Sequence, residues 1–189
     1  MHIRFQSILL IMAVGLTACN LSATATKVPE PTAASDTGID PVENTLTETH
    51  VDSELGLAID YPAGWRIEGH PGELVQIFSP LPSNYTPHPG GEPFPADQTK
   101  IEIIPQHSGD SRSIAQIIAD LYTDVASRGD RIEVEEPQTL ASGLEGMRLQ
   151  YSTGIPLFLT EINAQILYVA GYGDVSRFDE IVNTLRPAS

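Results

Sequence analysis

One thiol stands in the whole chain of 189 residues, at Cys19, and Leu16-Thr17-Ala18 precede it. A thiolate is a strong side-chain nucleophile, and with no second cysteine it cannot close a disulfide. The chemistry open to it is alkylation or acylation. The other candidates point away from catalysis. His50, His70, His88 and His107 follow no helical or hairpin ligand spacing, so they read as surface residues and not as a zinc set. Glu133 and Glu135 alternate with Ile132 and Val134, which puts both carboxylates on the solvated face of a strand rather than around a cation. Gly171-Tyr172-Gly173-Asp174-Val175-Ser176 sits between strand and helix, where a dinucleotide fingerprint would lie. Ser176 replaces the third glycine, however, and only 13 residues follow, too few for the next strand and its ribose-binding acid. There is no Gly-x-Ser-x-Gly elbow and no phosphate-cradling Walker loop. The reading is a non-enzyme with no catalytic residue, no metal and no cofactor. A hydrolase ranks last, with no residue to assign to it.

The residues around the thiol decide its chemistry. Met1-His2-Ile3-Arg4 carries one fixed positive side chain and no acid, and residues 8–16 are apolar or glycine. That run of nine is about half of the roughly 20 residues a spanning helix needs. Leu16-Thr17-Ala18-Cys19 resembles a bacterial lipobox. The resemblance implies a signal peptide over residues 1–18, with Cys19 as an S-diacylglyceryl, usually N-acylated, N-terminus. Each buried methylene contributes about 0.8 kcal/mol, so one acyl chain holds marginally and several hold firmly. The expected partner is thus the membrane itself, through lipid on Cys19, with the protein extracytoplasmic in the cell envelope. The competing reading is an ordinary secretory peptide ending near Ala18, with Cys19 incidental.

Ten basic against 25 acidic residues give a formal net charge of −15. Such a surface repels phosphates, which argues against nucleic acid and anionic lipid headgroups as partners. It favours a basic protein patch or bound cations; the plainer reading is that acidity keeps an envelope protein soluble.

Residues 19–48 read as the lipidated cysteine and a linker. Rich in Thr, Ala, Pro and acids, and free of aromatic residues after Cys19, the stretch cannot bury enough apolar surface to offset the entropy of ordering. A flexible coil of this kind spans about 30 Å, enough to let the cargo search a shell above the membrane. The globular domain is expected over residues 49–189.

Within it, period-two alternation predicts strands over 56–61, 65–68, 74–78, 99–104, 132–135 and 147–151, with a hairpin at Asn163-Ala164 between strands 158–162 and 165–170. Ser113 with Gln116 forms a capping box for a helix over 114–127, whose Ile114, Ile117, Ile118, Leu121 and Val125 share one stripe. A closing helix is expected from Asp174 to Leu185. Residues 79–98 hold six prolines and Gly90-Gly91, so they form a long loop. It reads as a tolerated insertion first and a contact loop second, with Asn84, Tyr85, His88 and Phe94 as the contacts.

Gly56-Leu57-Ala58-Ile59-Asp60-Tyr61-Pro62-Ala63-Gly64-Trp65 resembles the opening of the PsbP-like family, in which a strand ends in Tyr-Pro-x-Gly-Trp. The later Gly143-Leu144-Glu145-Gly146 turn, the hairpin strand with Tyr168, and the last apolar helix follow the same order, so the resemblance covers about residues 50–187. It implies an α+β fold in a single domain, an antiparallel β-sheet flanked by helices on both faces. It also implies a non-enzymatic role, because characterised members dock on membrane complexes as extrinsic proteins. This chain departs from them in carrying its own anchor. The expectation is a lipid-anchored envelope module that binds or stabilises a membrane-associated protein complex. The alternative is an extracytoplasmic protein binding a small ligand or a cation.

Overall fold

The computed structural model describes residues 45–81 and 94–188. The signal peptide expected over residues 1–18, Cys19, residues 20–44 of the linker expected over 19–48, Asn84, Tyr85 and His88 lie outside the described residues. The first strand, β1, runs from Leu46 to Asp52 and so includes residues on both sides of position 49. It pairs antiparallel with β2 (Leu57–Pro62). A second antiparallel unit follows from β3 (Arg66–His70), β4 (Leu74–Phe78) and β5 (Thr99–Pro105). The helix α1 (Ile114–Ser127) then leads to β6 (Ile132–Thr139), β7 (Glu145–Tyr151), β8 (Pro156–Ile162) and β9 (Gln165–Gly173). A short helix α2 (Phe178–Val182) and the two-residue β10 (Arg186–Pro187) end the chain. The strands form a seven-stranded sheet in the order β3-β4-β5-β9-β8-β7-β6 and a three-stranded sheet in the order β1-β2-β10, every pairing antiparallel.

Alternation along β8 explains the layering. Successive side chains point to opposite faces, and β8 is buried on both. Leu157 and Leu159 join Leu149, Ile166, Ile117 and Ile118 in a core beneath α1. Phe158 belongs to the other core, with Ile77, Ile101, Val169, the small sheet's Leu57 and Ile59, and Phe178 of α2. The large sheet is thus closed by α1 on one face and chiefly by a second sheet on the other. This corrects the expected cover of helices on both faces: the second cover is three strands with a five-residue helix beside them.

The closing helix is short for a local reason. Asp174 was expected as its N-cap, but its backbone N–H donates to the Gln98 carbonyl at 2.8 Å and its own carbonyl accepts from Thr99 Oγ1 at 2.7 Å. Tied to the start of β5, it cannot also open a helix. Its carboxylate closes a small turn onto the Ser176 N–H at 3.0 Å. At the far end Arg186 and Pro187 are taken up by β2. By contrast the cap of α1 is as expected, with Ser113 N–H donating to Gln116 Oε1 at 2.8 Å and Gln116 N–H to Ser113 Oγ at 3.3 Å.

Two local features carry testable energy. Asn163 and Ala164 join β8 to β9 at φ of 53° and 61°, the left-handed pair that a two-residue primed turn requires. A Cβ in that region costs about 1–2 kcal/mol, while glycine carries its own entropic cost of about 0.5–1 kcal/mol. Ala164→Gly is therefore expected to raise the melting temperature by a few degrees, and a thermal melt would show it. The second is the tie between β10 and β2, where Arg186 Nη2 lies 2.9 Å from Asp60 Oδ1 and Thr49 Oγ1 donates to the same oxygen at 2.7 Å. The Arg186 guanidinium is the main cause holding Asp60 below the usual carboxylate range, against a smaller opposing effect of burial. A carboxyl depressed in the folded state stabilises above its unfolded pKa, and that contribution disappears as pH falls through the folded value. Asp60→Asn should lower stability at neutral pH and flatten part of the acid limb. Melts from neutrality to about pH 3 would reveal the change in slope.

Asp52 performs a related task inside. It is 4% exposed, and its carboxylate accepts from Glu54 and Leu55 N–H at 2.9 Å each and from Gly72 N–H at 3.1 Å. One buried side chain thus binds the β1–β2 turn to the β3–β4 turn.

Candidate functional site

Beside α1 the large sheet is left partly open, and a groove of about 680 Å³ follows the helix there. Its floor comes from one phase of β9. Tyr168, Ala170 and Tyr172 all point to the α1 side, because Leu167, Val169 and Gly171 face the other core. Leu157 of β8 lies across from Ala170, and Ile104 of β5 across from Tyr168. Small Ala170 leaves a slot between the two rings. One wall is α1 through Leu121, and Tyr151 at the end of β7 closes the far end.

The rim is charged. Arg112 stands just ahead of α1, with Nε 3.0 Å from Asp110 Oδ1 and Nη1 2.6 Å from Asp120 Oδ2. Past the helix, Arg128 Nη2 lies 2.6 Å from Asp124 Oδ2. Asp130 accepts from the Arg131 N–H at 2.8 Å, from Thr153 Oγ1 at 3.1 Å and from Ser152 Oγ. The Arg112 guanidinium holds Asp110 well below the usual carboxylate range, and hydroxyl and amide donors, Ser152 first, lower Asp130.

Burial is the first cause raising the phenols of Tyr151, Tyr168 and Tyr172, and Tyr172 is pushed up to about 12 with help from the Glu102 carboxylate. At neutral pH all three are protonated. They offer ring faces and O–H donors rather than a proton-abstracting base. Next to Tyr172, Lys100 Nζ sits 4.3 Å from that ring's centroid and 5.7 Å from that of Phe94, and it pairs with Glu102 Oε1 at 2.9 Å. Gln76 Nε2 donates to the same carboxylate oxygen at 2.6 Å. This cation and acid satisfy each other beneath aromatic cover, so they hold the edge of the site together.

Of the four contact residues expected in the 79–98 loop, Phe94 is the one described, and it packs against Phe78 with centroids 6.1 Å apart. It is a clasp on the sheet. Glu133 pairs with Arg131 at 2.6 Å and Glu135 accepts from Tyr122 Oη at 2.7 Å, both at the surface. His50 and His70, distant in sequence, do line one cavity of about 270 Å³, and His50 Nε2 is buried there with no hydrogen-bond partner. Among the described residues no group of three or more His, Cys, Asp or Glu is placed to hold a metal ion. Gly171 and Gly173 lie inside β9; a Cβ on Gly171 would press on the Phe178 ring, so this glycine serves packing. Trp65 and Tyr61 pack against the larger core. Sequence reading missed Tyr168, Tyr172, Asp110 and Arg112. The signal lay in the phase of β9, where two tyrosines flank an alanine on one face.

No protein-family model matches the chain, and no curated protein does. Solved structures similar in chain path include the following two. Cyanobacterial PsbP (CyanoP) from Synechocystis sp. PCC 6803 is 14% identical, with 74% of this chain and 91% of that one covered at a TM-score of 0.43. The protein of unknown function PA94 from Pseudomonas aeruginosa is also 14% identical, with 70% and 92% covered at a TM-score of 0.42. At these values neither likeness carries a function to this chain. Among the described residues no helix is long and apolar enough to cross a membrane.

Proposed function

We propose that this chain is a non-enzymatic lipoprotein, anchored outside the cytoplasm through Cys19, whose PsbP-like domain binds or stabilises a membrane-associated protein complex. The observation that carries the binding role is the groove along α1. Its floor is tyrosine, leucine and alanine, its phenols are protonated, and its rim arginines are paired with rim aspartates. Such a surface is built to bury apolar side chains, with polar groups fixing orientation. The lipobox and the 19–44 stretch supply the tether, which raises the effective concentration of the domain toward anything in the same membrane. In-cell crosslinking followed by affinity capture of the full-length protein from its native membranes tests this. One stoichiometric partner is the expected result, and failure to enrich any partner counts against it.

A second reading, a receptor for a small ligand or cation, draws on the groove's volume of about 680 Å³, which falls in the usual range for small-molecule sites. It requires ligand-dependent thermal stabilisation. A flat melting temperature across metals and metabolites would remove it.

A further inference from the structure

We infer that the groove takes an extended apolar segment of the partner protein flanked by lysine or arginine. This rests on the binding-module reading above and specifies its occupant. Lining comes first. The groove, of about 680 Å³, draws on Arg112 ahead of α1, Leu121 in its middle, and Arg128 and Asp130 beyond it.

The floor comes second. Ile104 is 39% exposed on the lip, and the slot over Ala170 is walled by Tyr168 and Tyr172. An extended segment sends alternate side chains downward, so an aromatic or branched residue can enter the slot while its neighbours face α1 or water.

Charge selects the ends. Four aspartates, Asp110, Asp120, Asp124 and Asp130, stand around the groove against Arg112 and Arg128, and both arginines are already engaged. The Asp130 carboxylate is held by hydroxyls and a backbone amide, with no ion pair among the described residues. On a chain of net charge −15 an acidic segment would be repelled on approach, whereas a basic flank finds carboxylates at both ends and π faces between them.

The test uses the full chain in phosphatidylcholine nanodiscs and two fluorescein-labelled peptides read by anisotropy. One is Lys-Lys-Leu-Thr-Phe-Val-Leu-Lys-Lys; the other has the same body with glutamate replacing every lysine. The basic peptide is expected to bind at least about ten-fold tighter, with affinity falling as salt rises. Ile104→Lys, a change at an exposed position, should abolish that binding without moving the melting temperature, and Asp130→Asn should weaken it and reduce the salt dependence. Equal binding of both peptides, or binding indifferent to Ile104→Lys, overturns the inference. If neither peptide binds while membrane capture still enriches a partner, the assigned occupant is wrong and the binding-module reading stands. An empty capture removes that reading instead.

Discussion

Phe158→Ala should cost about 3–5 kcal/mol, the loss typical of an aromatic ring removed from a core that cannot collapse around the hole. Phe158 is 0% exposed and sits in β8, the strand buried on both faces near the middle of the large sheet. Its ring lies against Gly146 of the neighbouring β7, where any Cβ would overlap both the ring and the Leu159 carbonyl. Gly146 thereby makes room for the phenylalanine ring and has no side chain of its own to refill the space. Urea unfolding followed by intrinsic fluorescence measures the difference directly. A loss below about 1 kcal/mol would mean that the two cores are less interlocked through β8 than this packing requires.

The second large effect concerns location. Exchanging residues 1–19 for a cleavable secretory signal without a lipobox should move the protein from the membrane pellet to the soluble fraction, and Cys19→Ala should leave the precursor uncleaved. The reason is additive: at about 0.8 kcal/mol per buried methylene, two or three acyl chains hold a protein on a bilayer that its acidic surface would otherwise avoid. Fractionation with a high-salt wash, together with gel mobility of the precursor, reads both consequences. A signal-exchanged variant that still pellets after the wash would place the anchor somewhere other than Cys19.

Much of the fold was legible because short-range physics wrote it. The hairpin at Asn163-Ala164, the capping box of Ser113 with Gln116 and the β4 strand Leu74–Phe78 stand where alternation and local hydrogen bonding put them. What could not be read was decided by distant partners. Asp174 looks like an N-cap, yet Gln98 and Thr99 hold its backbone in the sheet. Arg186 and Pro187 lie just beyond the helix expected to end at Leu185 and answer to β2, an element more than a hundred residues away. Asp52 resembles any turn aspartate until Gly72 arrives from another turn to share its carboxylate.

The candidate site follows the same division. The period of β9 set Tyr168, Ala170 and Tyr172 on one face, which a sequence reading could have drawn out. That α1 would leave this face partly uncovered, with Ile104 at its lip, depends on where the helix crosses the sheet. The 79–98 loop drew attention through its prolines, but Phe94, the described member of its contact set, proves to be packed on Phe78.

Whether the groove meets a partner in cells decides the binding role. A photoreactive amino acid placed at position 104, on the lip of the groove, and at position 51, on the exposed edge of the small sheet, settles it in cells producing the full-length protein. One defined crosslinked partner is expected from position 104 and none from position 51, with the product lost in the Cys19→Ala background. The same pattern from both positions, or no product from position 104, would contradict it.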